Sequence, residues 1–294
     1  MPLPKITLPY FPQGSRLMVA LAFSQVGLMP SLLASPAIAD VPHDAVTQNL
    51  TVPSRDRWLE IQRISGSVML NGNTTRTGAR LDSVGDRLVT GENSNAYLLI
   101  DTQIGSVYVS SNTELRVSSF TTQSDGSRVT LLYVSRGQAR IQARTFTNPN
   151  SRLEIQSPSG VAAVRGTDFG VSVGPTGQTA ILTIEGLVTA NAQEETVEVP
   201  ANFSSIIVPG QPPTPARPTV EDLRLRVSTA ENFGGRRVTV RGSTDPVNLV
   251  TLDGETITTD VNGQFRFTAR SRGLLNFVVR SPLGNERIYT VTTP

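Results

Sequence analysis

The sequence predicts an all-β fold. From Trp58 onward the apolar residues recur with a period of two, short runs are punctuated by turn residues, and no segment sustains a helical repeat. Alternation is clearest in Ala139-Arg140-Ile141-Gln142-Ala143-Arg144 and in Leu153-Glu154-Ile155-Gln156, where apolar side chains share one face of a strand and polar ones the other.

In chain order, the first element is a leader. Residues 1–16 contain Lys5 and Arg16 and no acid; Leu17–Ala39 is mostly apolar and closes on Ala37-Ile38-Ala39. That is the pattern of a secretory signal over 1–39, with cleavage expected between Ala39 and Asp40. Ser24, Gln25, Pro30, Ser31 and Ser35 interrupt the apolar run, which argues against an uncleaved membrane span. In either state the chain after residue 40 is expected outside the cytoplasm, in the periplasm, at the cell surface or secreted. Residues 40–54 read as a flexible arm.

The first folded unit is expected over 55–208. Its strand candidates are Trp58–Ile64, Ser67–Leu70, Ala96–Ile100, Ser106–Val109, Val129–Val134, Ala139–Arg144, Leu153–Gln156, Ala180–Ile184, Val188–Ala190 and Ile206–Val208. Asn71-Gly72, Asp125-Gly126 and Pro175-Thr176-Gly177 supply turn signals between them. PGQPPTPARP at 209–218 places five prolines in ten positions and reads as an extended linker over 209–222. The second unit, 223–294, offers about seven short strands, with hairpin turns at Asp253-Gly254 and Asn262-Gly263. These strands are Leu223–Val227, Val238–Val240, Val247–Leu252, Glu255–Thr258, Phe265–Phe267, Leu275–Val279 and Ile288–Val291.

Composition removes several chemistries. With both cations of the leader gone and no acid lost, 26 basic residues fall to 24 against 24 acids, so the exported chain is neutral and gives no argument for nucleic-acid binding. Lys5 is the only lysine, so the rest of the chain has no Schiff base, no phosphate-loop lysine and no Ser-x-x-Lys pair. Cysteine is absent, which excludes disulfides, thiol catalysis and thiolate metal sites. The single histidine, His43, stands on the terminal arm, a poor place for a base that must be held rigidly.

SPSGVAAVRGTDFGV, residues 157–171, invites a phosphate-loop reading that fails. Gly160 and Gly166 enclose five residues rather than four, and no lysine follows. The alternative is structural. Val161–Val164 is a short unbroken apolar run expected of a strand buried on both faces. Ala162-Ala163 permits close sheet approach, and Gly166 allows a bend that redirects the strand. One bulged residue would bring Arg165 and Asp168 to the same side, where they are expected to pair, and Phe169 and Val171 resume the buried face.

The residues resemble a known family. Gly85-Asp86-Arg87-Leu88 with Thr90-Gly91, then Tyr97-Leu98-Leu99-Ile100-Asp101, Asn112-Thr113-Glu114-Leu115, Gly137, and Val164-Arg165-Gly166-Thr167-Asp168-Phe169 are similar, in that order, to the FecR domain over about residues 65–172. Glu185-Gly186-Leu187-Val188 resembles the extension that often follows. The resemblance implies an extracytoplasmic β-rich module, a sandwich or β-roll, that senses an outer-membrane receptor and passes the signal to a cytoplasmic sigma-factor regulator. Signalling members carry a cytoplasmic helical domain before a membrane span. Here about sixteen residues precede the apolar segment, so the expectation shifts from transmembrane signalling to recognition. The second unit resembles bacterial Ig-like modules, small β-sandwiches that act as spacers or adhesion elements, on the residues Val238–Pro246, Leu252-Asp253-Gly254 and Asp260–Phe265.

Other candidates have plainer readings. Asp260-Val261-Asn262-Gly263 faintly suggests a calcium loop but lacks the later bidentate Glu, and a hairpin turn is expected. Arg140, Arg144 and Arg152 lie on polar strand faces, where they offer an anionic polymer a contact or form a solvated mixed-charge face with Glu154. Trp58 is expected in core or edge packing. Asp82, Asp86, Glu92 and Asp101 permit a carboxylate-only glycoside hydrolase, but strand period and turn positions explain them more simply. The expectation is a non-enzymatic, exported cell-envelope module that binds an envelope protein or a cell-wall or outer-membrane polymer. No metal, small-molecule cofactor or nucleic acid is expected, and the membrane is involved only through an uncleaved leader. The alternative is a membrane-tethered extracytoplasmic sensor in a FecR-type relay.

Overall fold

Long antiparallel strands run back and forth and each bends over halfway, so that one meander folds double into two facing sheets. The computed structural model describes residues 57–101, 104–233, 237–270 and 273–292; the leader, the Ala39–Asp40 junction, His43 and the arm lie outside the described residues. Among these residues the secondary structure is all strand and turn, with no helix.

The first limb is β1 (Leu59–Ser65) passing into β2 (Val68–Leu70), followed by the short β3 (Asn73–Thr74) and β4 (Arg80–Leu81). The second is β5 (Arg87–Thr90) into β6 (Asn95–Ile100), and the third β7 (Gly105–Val109) into β8 (Glu114–Thr122). β9 (Arg128–Ala143) is a single strand of 16 residues that serves both sheets. After β10 (Arg152–Gln156) come β11 (Val161–Val164) into β12 (Asp168–Val173), β13 (Thr179–Glu185) into β14 (Leu187–Ala192), β15 (Glu195–Pro200) into β16 (Phe203–Ile207), and the short β17 (Arg217–Pro218).

The pairings sort these halves into two sheets. Sheet I runs β3-β2-β5-β8-β9-β10-β11-β14-β15, all antiparallel except the parallel β9–β10 pair. Sheet II runs β4-β1-β6-β7-β9-β12-β13-β16-β17 and is antiparallel throughout. Alternating apolar residues from both inner faces fill the space between them, among them Leu59, Ile61, Leu88, Leu98, Val107, Leu115, Leu132, Ile141, Ile155 and Phe169. This is the aligned-sandwich solution to burying one face of each sheet.

At the bends the ladder is interrupted, and hydroxyls take over. Thr113 Nα–H donates to Thr90 Oγ1 (2.9 Å), and Gln138 Nα–H donates to Thr113 Oγ1 (2.9 Å). Ser67 Nα–H donates to Ser94 Oγ (2.8 Å), while Ser111 Oγ accepts from Ser94 N–H and donates to Ser94 C=O. Buried backbone groups need such partners wherever a strand leaves its sheet. At the opposite end, Arg57 and Asp101, each with a side chain 2 % exposed, form an ion pair of 2.6 Å. Arg57 also donates to Thr130 Oγ1 (2.5 Å) and Thr121 C=O (3.0 Å), so three strands are tied there.

The C-terminal strands form two further sheets around a separate core. β18 (Arg226–Phe233), β19 (Arg237–Ser243) and β22 (Gln264–Arg270) make one; β20 (Leu249–Leu252), β21 (Glu255–Ile257), β23 (Leu274–Arg280) and β24 (Glu286–Thr292) make the other. Val238, Val240 and Phe265 meet Val250, Leu275, Phe277 and Val279 between them. The seven strands form a small two-layered sandwich.

Residues 49–294 constitute one compact unit, and the outer face of sheet II is where the two sandwiches meet. Gln138 Nε2 donates to Ser172 Oγ (2.8 Å) and across to Arg280 C=O (2.9 Å). Gly170 leaves the room this contact requires, since a Cβ there would lie 2.3 Å from Pro282 C=O. Ala180, Ile206 and Val247 form a small apolar cluster across the contact. The proline-rich stretch is extended and held along the edge: β17 pairs with β16, Thr214 N–H donates to Ile206 C=O (2.9 Å), and Arg217 bridges to Asp245 (2.8 Å).

Three sequence expectations change. Val129–Val134 and Ala139–Arg144 are not separate strands but the two halves of β9, joined through Gly137. Val161–Val164 is buried on one face only; Val161 and Ala163 remain partly exposed because nothing covers that side of β11 completely. The strands buried on both faces are β12 and β13, whose outer faces the second sandwich covers. The Ser- and Thr-rich β8 and the acidic β15 give little apolar signal and are found only through their pairing.

Arg57→Ala is expected to destabilise the protein by about 3–5 kcal/mol, because it leaves the buried Asp101 carboxylate with only the 3.6 Å contact to Arg128. The double variant Arg57→Met with Asp101→Asn should recover most of that loss in urea denaturation. Equal losses in both variants would contradict the charge-burial account.

Candidate functional site

The segment 157–171 builds one corner of the first sandwich. Ser157 N–H donates to Gly160 C=O (2.9 Å), and Thr179 Oγ1 donates to Ser157 Oγ (2.9 Å) and accepts from Ser159 Oγ (2.7 Å), which closes the β10–β11 turn. A side chain at Gly160 would press on Asn191 C=O at 2.6 Å. Val164 ends β11 in sheet I, and Phe169 enters the core from β12 in sheet II. Arg165-Gly166-Thr167 is the crossing between sheets. It is pinned by Phe146 N–H to Arg165 C=O (3.1 Å) and Ala143 N–H to Thr167 C=O (2.9 Å).

Gly166 has φ +140°, and a Cβ on it would lie 2.4 Å from Thr145 Cα, so both conformation and space require glycine. The next crossing stacks on this one: Gly186, between β13 and β14, sits where a Cβ would be 2.8 Å from Gly166 C=O. Thr167 is buried at the crossing, and its Oγ1 has no hydrogen-bond partner.

Asp168 pairs with Arg140 rather than with Arg165. Arg140 Nε and Nη2 donate to the two carboxylate oxygens at 2.9 and 2.6 Å, and Gln142 Nε2 adds a third bond at 2.9 Å. β12 lies beside β9 with Asp168 opposite Gln142, so the pairing register places these side chains on the outer face together. Arg165 is left exposed on the crossing, one residue before Gly166 turns the chain away. Burial pushes the Asp168 carboxyl upward, but the hydrogen bonds from Arg140 and Gln142 and the charge of Arg140 outweigh it, and the pKa lies below the ordinary value. The same bonds raise the Arg140 guanidinium against its desolvation.

Around this pair the outer face of sheet II carries a shallow groove in two connected parts, about 570 and 300 Å³. Tyr97, Ser106 and Gln142 line both parts. Asp168 and Glu185 stand at one end; Arg63, Tyr108 and the turn at Gly284 stand at the other. Tyr97 faces Tyr108 across the β6–β7 ladder, and Arg63 lies 5.0 Å from the Tyr97 ring centroid. Burial raises the Tyr108 phenol, which packs against Gly284. The groove thus offers two aromatic rings flanked by an amide, hydroxyls and both signs of charge. It is equipped for contact with a polar partner. Sequence alternation puts Tyr97, Tyr108 and Gln142 on outward faces, but only the strand order makes them neighbours.

The remaining candidates have local roles. Asp260 Oδ1 accepts from Asn262 and Gln264 N–H (2.9 and 2.8 Å) in the hairpin turn before β22. Among the described residues no group of three or more His, Asp or Glu is placed to hold a metal ion. Asp86 caps the turn before β5 by accepting from Asp82 and Ser83 N–H, both at 2.9 Å. Glu92 lies against Gly254 of the second sandwich, and Asp101 holds Arg57. Arg80 stacks over the half-buried Trp58 ring at 4.3 Å. Arg152 stands apart from Arg140, at the end of the sandwich away from the bends, and Arg144 lies on the wall shared by that end and the Asp168 end of the groove.

Residues 86–189 match the family described as FecR protein. The match starts at Asp86 of the Gly85–Leu88 motif and extends beyond the Val164–Phe169 motif to take in Glu185–Val188. No curated protein matches the chain. Two crystal structures, each described as a candidate anti-sigma factor from Parabacteroides distasonis ATCC 8503, at 1.65 and 2.50 Å resolution, are similar to part of it, with 14% and 12% identity. Each similarity covers 45% of this chain and 59% of that chain, with a TM-score of 0.38.

Gly166→Ala is expected to cost roughly 3 kcal/mol or more, from a left-handed backbone and a backbone clash together. Gly126→Ala, at φ +76° in open space, should cost only about 1–2 kcal/mol; equal thermal shifts would remove the crossing argument. Asp168→Asn should cost about 1–2 kcal/mol at neutral pH, the value of a charge-assisted pair discounted for the partial exposure of Arg140. Because the folded pKa is lowered, this contribution is complete above the ordinary carboxylate value of about 3.9 and disappears as pH falls through the lower folded value. The stability gap between wild type and variant should therefore be flat from pH 6 to 8 and close below about pH 4. A gap independent of pH down to the acid transition would count against the pair.

Proposed function

We propose that this protein is an extracytoplasmic sensor of the FecR type, which detects an envelope partner by surface contact and reports it to a regulatory relay. The observation that carries the reading is the FecR family match over 86–189. It spans the central strands of both sheets, the Gly166 and Gly186 crossings and most of the outer groove. FecR proteins are regulatory, and the chain's composition, with one histidine, no cysteine and no lysine beyond Lys5, suits recognition better than turnover. The leader-like pattern of residues 1–39 and the FecR match both support an extracytoplasmic location.

Mechanistically, the groove on sheet II is the contact surface. A partner segment or polymer would be held by the Tyr97 and Tyr108 rings and by hydrogen bonds to Gln142 and Ser106, with Arg140 and Asp168 fixing the local charge. The sensor reading accounts for the second sandwich better than a spacer does. Its Arg280–Pro282 segment lies on the same face, against Gln138 and Gly170, so occupancy of the groove and docking of the second sandwich share a surface.

The test is transcriptional. Deletion of the chain in its host should change transcript levels of a defined gene set, and Tyr97→Ala with Glu185→Arg should reproduce that change while leaving the thermal midpoint within about 2 °C. Unaltered transcripts after deletion would sink the relay. Cross-linking that captures the same partner with wild type and groove variant alike would move the contact surface elsewhere.

A further inference from the structure

The two ends of β9 and the start of β10 enclose a cleft of about 400 Å³ at the end of the sandwich away from the hydroxyl-lined bends. β9 begins in sheet I at Arg128 and ends in sheet II at Ala143, and its bend at Gly137 returns both ends to the same side. β10 runs parallel to β9 with Arg152 opposite Val129. Arg128, Arg144 and Arg152 are therefore set around one mouth by three fixed backbone positions, with Arg57 deeper inside.

The charges do not cancel. Arg57 and Asp101 satisfy each other inside the wall, and Arg152 meets Glu154 at the rim (2.5 Å). Arg128 reaches Asp101 only at 3.6 Å, with Asp101 already held by Arg57. The Arg144 guanidinium has no hydrogen-bond or ion-pair partner among the described residues. Two exposed guanidiniums thus stand at a mouth with no carboxylate among its described lining residues, and the neighbouring Asp101 and Glu154 are engaged by Arg57 and Arg152. Donor groups stand beside them: Ser151 Oγ accepts from Arg128 N–H (2.9 Å), which leaves its hydroxyl proton free to turn outward. The floor is apolar, made by Ile100, Ile104, Ala143, Phe146 and Leu153.

From this arrangement we propose that the cleft binds a small amphipathic organic anion, an oxyanion such as phosphate or carboxylate on an apolar body. Paired guanidiniums match the planar, two-point acceptor geometry of such a head group. The volume falls within the range of small-molecule pockets, and an apolar floor under a few convergent polar groups is their usual lining. A bare inorganic anion would leave the floor unused, and a neutral apolar molecule would leave Arg144 unpaired and Arg128 with only its 3.6 Å contact to Asp101. The cleft adjoins one end of the sheet II groove, with Ala143, Arg144 and Thr145 lining both, whereas Arg128 and Arg152 line the cleft alone; the proposal does not depend on the sensor reading.

The test is isothermal titration calorimetry of the full chain with octyl phosphate, inorganic phosphate and octyl glucoside. Octyl phosphate should bind saturably at one site, at least tenfold more tightly than either of the others. Arg144→Gln and Arg128→Gln should each weaken it about tenfold or more, whereas Arg165→Gln, an exposed cation elsewhere, should change it less than twofold. The Arg144 side chain has no hydrogen-bond or ion-pair partner among the described residues, so that variant tests the site without removing a contact of the fold. Sedimentation with phosphatidylglycerol vesicles separates the sources. Co-sedimentation lost in Arg144→Gln assigns a lipid head group, and octyl phosphate binding without co-sedimentation assigns a soluble anion. Absence of saturable octyl phosphate binding, or binding indifferent to both arginine variants, overturns the proposal.

Discussion

A meander that folds double must break its own hydrogen-bond ladder once in every long strand, and the broken groups fall in a row along one side of the sandwich. Thr90, Ser94, Ser111 and Thr113 repair that row with side-chain oxygens. Without them the bends would bury unpaired N–H and C=O groups, each at a cost comparable to a lost hydrogen bond. Where no hydroxyl takes over, at Gly166 and Gly186, the two crossings are packed so closely that a single Cβ does not fit. Both sheets, the core between them and the two surfaces described above follow from keeping these bends intact.

The second consequence is asymmetry between the sheets. Sheet II loses part of its outer face to the C-terminal sandwich, and Ala180, Ser172, Gly170 and Ile206 are buried there although they point away from the main core. What remains uncovered is the strip from Tyr97 to Asp168. This strip is bordered on one side by the docked Leu283–Asn285 turn and on the other by the Gly166 crossing. On the proposed reading, a contact surface beside a covered one joins binding to the docking of a whole sandwich. The bend at Gly137 has the opposite effect at the far end, where the two ends of β9 part and leave the arginine-rimmed mouth.

The same constraint decides which side chains become partners. Arg165 and Asp168 are three apart, and a bulge does occur at Asp168. The chain, however, changes sheets between them, so that Asp168 faces β9 and meets Arg140, 28 residues away. Arg144 and Arg152 look equivalent to Arg140 in the alternating pattern. The parallel β9–β10 register carries Arg152 to a different surface, and the end of β9 sets Arg144 between the groove and the arginine-rimmed mouth. A polar residue's exposure is written in the local pattern, whereas its partner depends on which strands become neighbours.

Strand character, turn positions and the absent chemistries were determined by the sequence alone, because a period of two, Asn-Gly and Asp-Gly turns and a missing cysteine are local facts that no packing revises. The Val164–Phe169 motif was equally legible as residues. The double folding of the meander, the burial of β12 and β13 on both faces, and the Arg140–Asp168 pair were decided by tertiary structure. Their physical reason is common to all three: hydrogen-bond register and sheet-to-sheet contact join residues far apart in the chain, and a backbone whose side chains alternate in direction presents the same local pattern whichever neighbour it finally meets.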